Sequence, residues 1–284
     1  MTVTHPRGTG AREVGTLPVP GATLHYEVRG AGPPLLLIPG GNSDAAVFED
    51  LAAVLVADHR VVCYDPRGQS RSPLQGPPDQ QRVEVHADDA GRLLRHVAAD
   101  GEPARVLGSC AGGLVALELA ARRPELVRAM VAHEPPALSL LPAAEGHRVL
   151  LDEIHATFRR EGVAPAMEAL SDALFGGRPA PELPTAGDNS AFFLGHVVRS
   201  FSGFVPDLDA LAGLAASGSR VTVAAGRESV GQDVRRPAVL LAERLGLELA
   251  LFPGGHVGYV NDPAGFARRL GEVFRAGPGR AGGG

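Results

Sequence analysis

The segment Gly-Ser-Cys-Ala-Gly at residues 108–112 contains the residue best suited to covalent chemistry, Cys110. Its spacing is that of the G-x-S-x-G nucleophile elbow, in which a strand turns sharply into a helix and glycines make room for the strained central residue. An apolar strand precedes the turn, and a helix over 111–122 follows it. The pattern predicts Cys110 as a nucleophile whose thiolate is favoured by the helix N-terminus. The alternative interpretation is a small buried cysteine.

His256 is the second residue whose position suits catalysis. It lies in the glycine-rich segment 253–258, after the last predicted strand. A histidine at the carboxyl end of a parallel strand can face the crevice in which such sheets bind ligands. A lone histidine is more often a surface residue, but His256 follows the elbow in the order nucleophile, acid, histidine. We therefore expect it to act as the general base that takes the thiol proton and later activates water.

Two carboxylates compete for the position beside His256. Glu228 follows the penultimate predicted strand, whereas Glu134 follows the strand after the elbow helix. Pro135 and Pro136 come directly after Glu134 and would fix the backbone that carries it. Because an imidazole is oriented best by a firmly held carboxylate, we favour Glu134 as the acid and keep Glu228 as the alternative.

Two backbone N–H groups are expected to stabilise the negative charge that develops on a carbonyl oxygen under attack. One is the amide of Ala111, directly after the proposed nucleophile. The other should come from the loop after the predicted strand 34–38, where Gly41 is the favoured donor and Asn42 the alternative. A tight strand-to-helix turn without a role in catalysis would explain the same glycines.

The elements that position these residues alternate between apolar strands and amphipathic helices. Besides the strand before the elbow, strands are predicted at 24–29, 34–38, 60–64, 128–133, 220–225 and 247–252. Between 137 and 217 the pattern changes to helices alone, at 143–160, 164–174 and 189–202. Further helices are predicted at 83–98, 111–122, 238–245 and 263–275. The alternation implies a parallel sheet covered on both faces, and the helical block is interpreted as an insertion after one strand.

Composition and charge exclude several classes of function. The chain has 284 residues, is 44% hydrophobic and carries a formal net charge of -5, with no basic stripe for nucleic acid. No apolar run approaches the roughly 18 residues of a membrane span, and the first residues lack the core of a signal peptide. With two cysteines and no metal, nucleotide or flavin motif, we expect a reduced cytoplasmic protein without disulfide, metal or cofactor.

Three other features are assigned to structure rather than to chemistry. Asp and Arg residues bracket a glycine turn in the segment 65–72, where they can tie neighbouring loops together. Cys63 lies inside an apolar strand and is most simply a core residue. His133 precedes Glu134 and, by strand alternation, points in the opposite direction.

Together these residues resemble the α/β-hydrolase superfamily over residues 20–275. The motifs that carry the resemblance are Leu-Leu-Ile-Pro-Gly-Gly at 36–41, Asp-Pro-Arg-Gly-Gln-Ser-Arg-Ser at 65–72, Gly-Ser-Cys-Ala-Gly at 108–112 and Pro-Gly-Gly-His at 253–256. The resemblance implies an α/β fold with a mostly parallel eight-stranded sheet covered by helices and a helical cap inserted after the sixth strand. The core would comprise 14–136 and 218–276, the cap 137–217, and flexible tails 1–13 and 277–284.

The chain departs from the family pattern at three positions. Pro39 stands where many members have histidine, Gln69 where glycine is usual, and Cys110 where most have serine. An elbow cysteine is similar to that of dienelactone hydrolases and polyhydroxyalkanoate synthases, which act on activated lactones and thioesters. The position of Glu134 resembles that of the acid in haloalkane dehalogenases, whose aspartate nucleophile is absent here.

The sequence therefore predicts an enzyme that acts on an ester, lactone or thioester through an acyl group on Cys110, with His256 and Glu134 handling protons. Its partner would be a small molecule with an apolar acyl group. The alternative is a protein of the same fold that binds a small molecule or catalyses a non-hydrolytic isomerisation or cyclisation. Replacement of a natural serine by Cys110 also stays open, as do substrate identity and oligomeric state.

Overall fold

An eight-stranded β-sheet forms the centre of the molecule, with its strands in the order β1-β2-β4-β3-β5-β6-β7-β8. The structure is a computed structural model that describes residues 12–98, 101–142, 144–177, 183–184, 187–216 and 219–275. The strands are β1 (Glu13–Val19), β2 (Ala22–Arg29), β3 (Pro34–Ile38), β4 (Arg60–Tyr64), β5 (Ala104–Ser109), β6 (Val127–His133), β7 (Arg220–Gly226) and β8 (Ala250–Phe252). Strand β2 pairs antiparallel with β1 and β4, whereas neighbours from β4 to β8 pair in parallel.

Helices cover both faces of this sheet. They are α1 (Glu49–Leu55), α2 (Val83–Val97), α3 (Ala111–Arg122), α4 (Ala144–Glu161), α5 (Val163–Phe175), α6 (Ser190–Phe192), α7 (Val198–Ser202), α8 (Leu208–Ala216), α9 (Arg236–Arg244), α10 (Gly258–Asn261) and α11 (Pro263–Arg275). Helices α1 and α11 bury their apolar residues on one face, and α2, α3, α8 and α9 on the other. All residues of β3 are buried, as expected for a strand covered on both sides.

Helices α4 to α8, called the inserted helices below, all lie between β6 and β7. A π-helical turn, Phe193–Val197, joins α6 to α7. Leu151 and Ile154 of α4 pack with Leu170 of α5 and Val198 of α7 in a small core separate from those of the sheet. The predicted fold, a mostly parallel eight-stranded sheet with helices after the sixth strand, is confirmed.

The strand predictions were incomplete at both edges of the sheet. Strand β1 falls where no strand was predicted, because it is an edge strand with mostly exposed side chains and lacks an apolar run. Strand β8 was predicted over 247–252 but spans only Ala250–Phe252, since it pairs with just the last three residues of β7. Residues 1–11 and 276–284, most of the two predicted tails, and the predicted boundary at 217–218 lie outside the described residues.

Glycines at the end of β5 allow α3 to lie unusually close to the sheet. A Cβ atom on Gly108 would lie 2.1 Å from the carbonyl oxygen of Gly112. A Cβ atom on Gly112 would lie 2.3 Å from the carbonyl oxygen of Ile38, in the neighbouring strand β3. Both contacts involve backbone atoms, which cannot move aside without displacing α3 or β3. The G-x-C-x-G spacing is thus a steric requirement of this packing.

Replacing Gly112 by alanine is therefore expected to destabilise the protein by about 1–3 kcal/mol or more, because the added methyl group overlaps backbone. Urea unfolding followed by circular dichroism measures the change. Gly146→Ala is the matched control, since Gly146 is exposed on α4 with open space around it. That substitution should stabilise by roughly 0.4–1 kcal/mol. Equal stability of the two variants would contradict the close approach.

Candidate active site

Cys110 lies at the turn between β5 and α3 in a strained backbone conformation. Its φ is 52° and its ψ is -125°, a combination that residues with a side chain rarely adopt. The turn is held because Cys110 N–H donates to the carbonyl oxygen of His133 at 2.9 Å and Gly113 N–H donates to that of Cys110 at 2.8 Å. The half-buried Cys110 side chain faces a cavity of about 820 Å³. The predicted strand-turn-helix geometry is present.

Glu134 lies beside His256 and is fixed from both sides. His256 Nδ1 is 2.7 Å from Glu134 Oε2, while Glu134 Oε1 accepts a hydrogen bond from Gly226 N–H at 2.9 Å. Glu134 is fully buried and has a positive φ of 45°, at the sharp end of β6. Glu228, the other candidate, is exposed on the turn after β7. The structure thus brings together Cys110, His256 and Glu134 rather than Glu228.

Electrostatic interactions favour the charged form of all three side chains. Burial raises the pKa of Cys110, but the neighbouring His256 and the amides of Ala111 and Gly41 outweigh it and lower the pKa of the thiol. Burial lowers the pKa of His256, but Cys110 and Glu134 raise it overall. Burial likewise raises the pKa of Glu134, yet its contact with His256 brings it down to about 2. These opposite shifts favour a thiolate-imidazolium pair at Cys110 and His256.

The two predicted backbone donors, Gly41 and Ala111, both interact with the Cys110 sulfur. The direction of the Gly41 amide is fixed because Gly40, in the same peptide unit, accepts a hydrogen bond from Ser43 N–H at 3.1 Å. The carbonyl oxygen of Gly41 in turn accepts from Gln69 Nε2 at 2.5 Å. Gln69, one of the departures from the family pattern, therefore helps to hold this loop, and Gly41 rather than Asn42 is the loop amide found at the sulfur.

Asn189, which sequence reasoning missed, connects the inserted helices to this loop. It is buried, its Oδ1 accepts from Ser70 N–H at 2.8 Å, and its Nδ2 donates to the carbonyl oxygen of Asn42 at 3.3 Å. Nearby, the Phe193 ring lies so close to Gly41 that a Cβ atom there would be 2.2 Å from it. No sequence signal could have revealed these contacts, because they join segments more than a hundred positions apart.

The features assigned to structure are confirmed as such. Asp65 Oδ2 accepts from Arg71 Nε at 2.7 Å, and Asp65 Oδ1 accepts from Ala45 N–H at 3.0 Å, so this segment ties two loops together. Cys63 is buried in β4, and burial raises its pKa to about 12. His133 is buried against aromatic rings on the far side of β6 from Glu134, and burial lowers its pKa to about 4.

The described residues form neither a metal site nor a helix that could cross a membrane. In the part of the chain that the structure describes, no three His, Cys, Asp or Glu side chains are grouped so that they could hold a metal ion. None of the described helices combines the length and apolar character needed to cross a membrane. The strand order, the elbow after β5 and a histidine after β8 instead define the class of α/β proteins with a hydrolase-type sheet.

Comparisons with known proteins agree with that class. The family model of the alpha/beta hydrolase fold matches residues 33–184. The uncharacterized hydrolase YraK of Bacillus subtilis is 36% identical over 263 residues, which cover 92% of this chain and 95% of that protein. The zearalenone hydrolase of Bionectria ochroleuca is 27% identical over 265 residues, covering 89% and 94%. The chain belongs to the α/β-hydrolase family and is an enzyme of that family.

A solved structure extends the similarity to the complete fold. The thermophilic esterase from Thermogutta terrifontis superposes with a TM-score of 0.71 at 20% identity, and the match covers 94% of this chain and 98% of that one. At this identity the similarity concerns the fold alone. It shows that the inserted helices and the sheet together have the arrangement of a known hydrolase.

The thiolate-imidazolium pair predicts how Cys110 reacts with iodoacetamide. Alkylation of the wild-type protein should stay fast well below pH 9, because His256 lowers the thiol pKa. In His256→Ala the reactivity should appear only at higher pH, since the amides of Ala111 and Gly41 alone then oppose the effect of burial. Peptide mass spectrometry assigns the adduct, and buried Cys63 serves as the internal control that stays unmodified in the folded protein. An unchanged pH profile in His256→Ala would contradict the pair.

The same titration distinguishes the two candidate acids. Glu134→Gln should move the alkylation profile of Cys110 to higher pH, because loss of the carboxylate charge weakens the imidazolium that stabilises the thiolate. Glu228→Gln is the matched control and should leave the profile unchanged, since its side chain is exposed and makes no contact with His256. A shift in the Glu228 variant alone would reverse the assignment of the acid.

Proposed function

We propose that this enzyme hydrolyses a carboxylic ester, lactone or thioester through an acyl group carried on Cys110. The proposal rests on the four groups that surround the Cys110 sulfur: the His256 ring, the amides of Gly41 and Ala111, and the N-terminus of α3. His256 transfers protons, the two amides are donors for the oxyanion, and the helix N-terminus favours the thiolate of Cys110. A nucleophile, a proton carrier and two donors for an oxyanion are the minimal set for this reaction.

In the first half of the reaction, the Cys110 thiolate attacks the carbonyl carbon of the substrate. Electrons of the carbonyl double bond move to its oxygen, which is held by the N–H groups of Gly41 and Ala111. When the double bond re-forms, the bond to the leaving oxygen or sulfur breaks. Because Nδ1 of His256 is bonded to Glu134, its Nε2–H is the group free to give the leaving atom its proton.

In the second half, His256 is neutral and acts as a base. It takes a proton from water as the water oxygen attacks the thioester carbon of the acyl-enzyme, and the same two amides hold the oxyanion again. Collapse of this intermediate releases the carboxylic acid and the Cys110 thiolate, which restores the pair with protonated His256. Glu134 stays ionised throughout, and its buried carboxylate stabilises the imidazolium each time it forms.

The inserted helices are proposed to act as the cap, within the predicted limits 137–217, that covers the substrate. The cavity against Cys110 has apolar walls from α5 and the π-helical turn, including Leu174, Phe175 and Phe193. This lining suits an apolar small molecule rather than a polymer. The names of the relatives, a hydrolase and a zearalenone hydrolase, and of the esterase with the same fold support hydrolysis of an ester-like bond.

A brief reaction with activated acyl esters and thioesters, followed by intact-protein mass spectrometry, tests the proposal. The wild-type protein should gain one acyl mass on Cys110 and then lose it by hydrolysis. Cys110→Ala should show no adduct, and His256→Ala should react on the order of 10²–10⁴-fold more slowly, because proton transfer is lost.

Three other results would redirect the assignment. Turnover by Cys110→Ser alone would mean that the natural nucleophile was serine. An adduct that forms without being hydrolysed, and passes to an added alcohol or thiol, would indicate an acyltransferase. Absence of any adduct across a broad substrate panel would contradict the proposal and favour the non-hydrolytic or binding alternative.

A further inference from the structure

Two chambers meet at Cys110. The larger, called the main cavity, has a volume of about 820 Å³. The smaller, called the side chamber, has a volume of about 140 Å³ and lies between the sheet and the inserted helices. The side chamber is enclosed mainly by aliphatic and aromatic side chains, among them Leu138, Leu151, Ala173, Val198, Phe201 and Val234. Leu170, Leu174 and Phe193 border both chambers and form the wall between them.

The two chambers differ in the reactive groups that line them. His256, Gly40 and Gly41 line the main cavity, and none of them lines the side chamber. Ala111 lines the side chamber and does not line the main cavity. Cys110 belongs to both. The sulfur therefore has the proton carrier on one side and an enclosed apolar space on the other.

This asymmetry determines how a substrate can lie in the site, on the basis of the function proposed above. The leaving oxygen or sulfur must come within about 3.2 Å of His256 to receive its proton, so the leaving group must occupy the chamber that His256 lines. The carbonyl oxygen is held between the amides of Gly41 and Ala111. The remaining substituent on the carbonyl carbon is the acyl chain, and it is directed away from His256.

We infer that the side chamber is the subsite for the acyl chain and that the main cavity is the subsite for the leaving group. The side chamber, at about 140 Å³ against about 820 Å³ for the main cavity, is much the smaller of the two, so the acyl chain is the smaller group. Among the described residues that line the side chamber, the one carboxylate, Asp233, is paired with Arg236 at 3.0 Å and is more than half exposed; the other polar lining residues are His147 and Ser202, and the rest of the lining is apolar. Burying a charged acyl group there would be costly.

The substrate class follows from these sizes. The acyl group is short and uncharged, and the leaving group is a larger alcohol or thiol. Polar side chains of α5 that line the main cavity, Glu168, Ser171 and Asp172, suit a leaving group with hydroxyl or amide functions. A small-ring lactone ties its acyl chain to its leaving atom and cannot fill both chambers, so acyclic esters and thioesters should be the better substrates.

Two substitutions on α5 test the two chambers one at a time. Ala173 lines only the side chamber and Ser171 only the main cavity, and both side chains on α5 are half-buried. Ala173→Leu should reduce kcat/KM for hexanoyl esters at least tenfold relative to acetyl esters of the same leaving group. It should leave the preference among acetyl esters of increasing alcohol size unchanged. Ser171→Leu should change the preference among acetyl esters of increasing alcohol size and leave the ratio of hexanoyl to acetyl activity unchanged. Circular dichroism checks that both variants fold.

If Ala173→Leu altered only the preference for the alcohol, and Ser171→Leu only the preference for the acyl chain, the assignment of the two chambers would be overturned. So would an equal loss for all substrates in both variants.

A second measurement does not require turnover. Alkyl methanethiosulfonates convert the Cys110 thiolate to an alkyl disulfide and release methanesulfinate, so the chain is placed on the sulfur without hydrolysis. The hexyl reagent should react with Ala173→Leu at least tenfold more slowly than with Ser171→Leu, while the methyl reagent should not distinguish them. Chain discrimination by these reagents without ester turnover would mean that the chamber assignment holds and the proposed hydrolysis fails. No discrimination would overturn the chamber assignment itself.

Discussion

The site depends on a row of three titratable groups, Glu134, His256 and Cys110, whose mutual contacts favour their charged forms. Glu134 is fully buried, and its contacts with His256 and Gly226 compensate for the lost hydration. The carboxylate favours the protonated form of His256, which in turn favours the thiolate form of Cys110. Removal of any one member leaves a charge without its partner. Stability of this region and the proposed chemistry therefore rest on the same interactions.

The sheet makes this arrangement possible because its parallel strands end at one edge. Cys110 follows β5, Glu134 follows β6, and His256 follows β8, so residues distant in sequence meet within hydrogen-bond reach. Cys110 and Glu134 both have positive φ values at these strand ends. Such strain costs of order 1–3 kcal/mol per residue and is maintained by the surrounding sheet and helix packing. The core thus stabilises the conformations on which the site depends.

The inserted helices are connected to the site as well as covering it. Asn189 joins them to Asn42 and Ser70, and the Phe193 ring packs against Gly41, whose amide is one of the two proposed oxyanion donors. A rearrangement of these helices would therefore disturb the loop that carries this amide. The inserted helices also form the wall between the two chambers. The elements proposed to determine substrate specificity are therefore in contact with the loop proposed to stabilise the oxyanion.

The sequence by itself determined the sheet class, the elbow at Cys110 and the position of His256 after the last strand. These follow from local rules: apolar runs form buried strands, and the glycines around Cys110 are required by close backbone contacts. Sequence reasoning could favour Glu134 over Glu228 but could not decide, because both follow a strand. It also missed β1 and Asn189, whose roles come from neighbours far along the chain. Only the tertiary structure decided which carboxylate reaches His256 and how the space around Cys110 divides, since both depend on how separate elements pack.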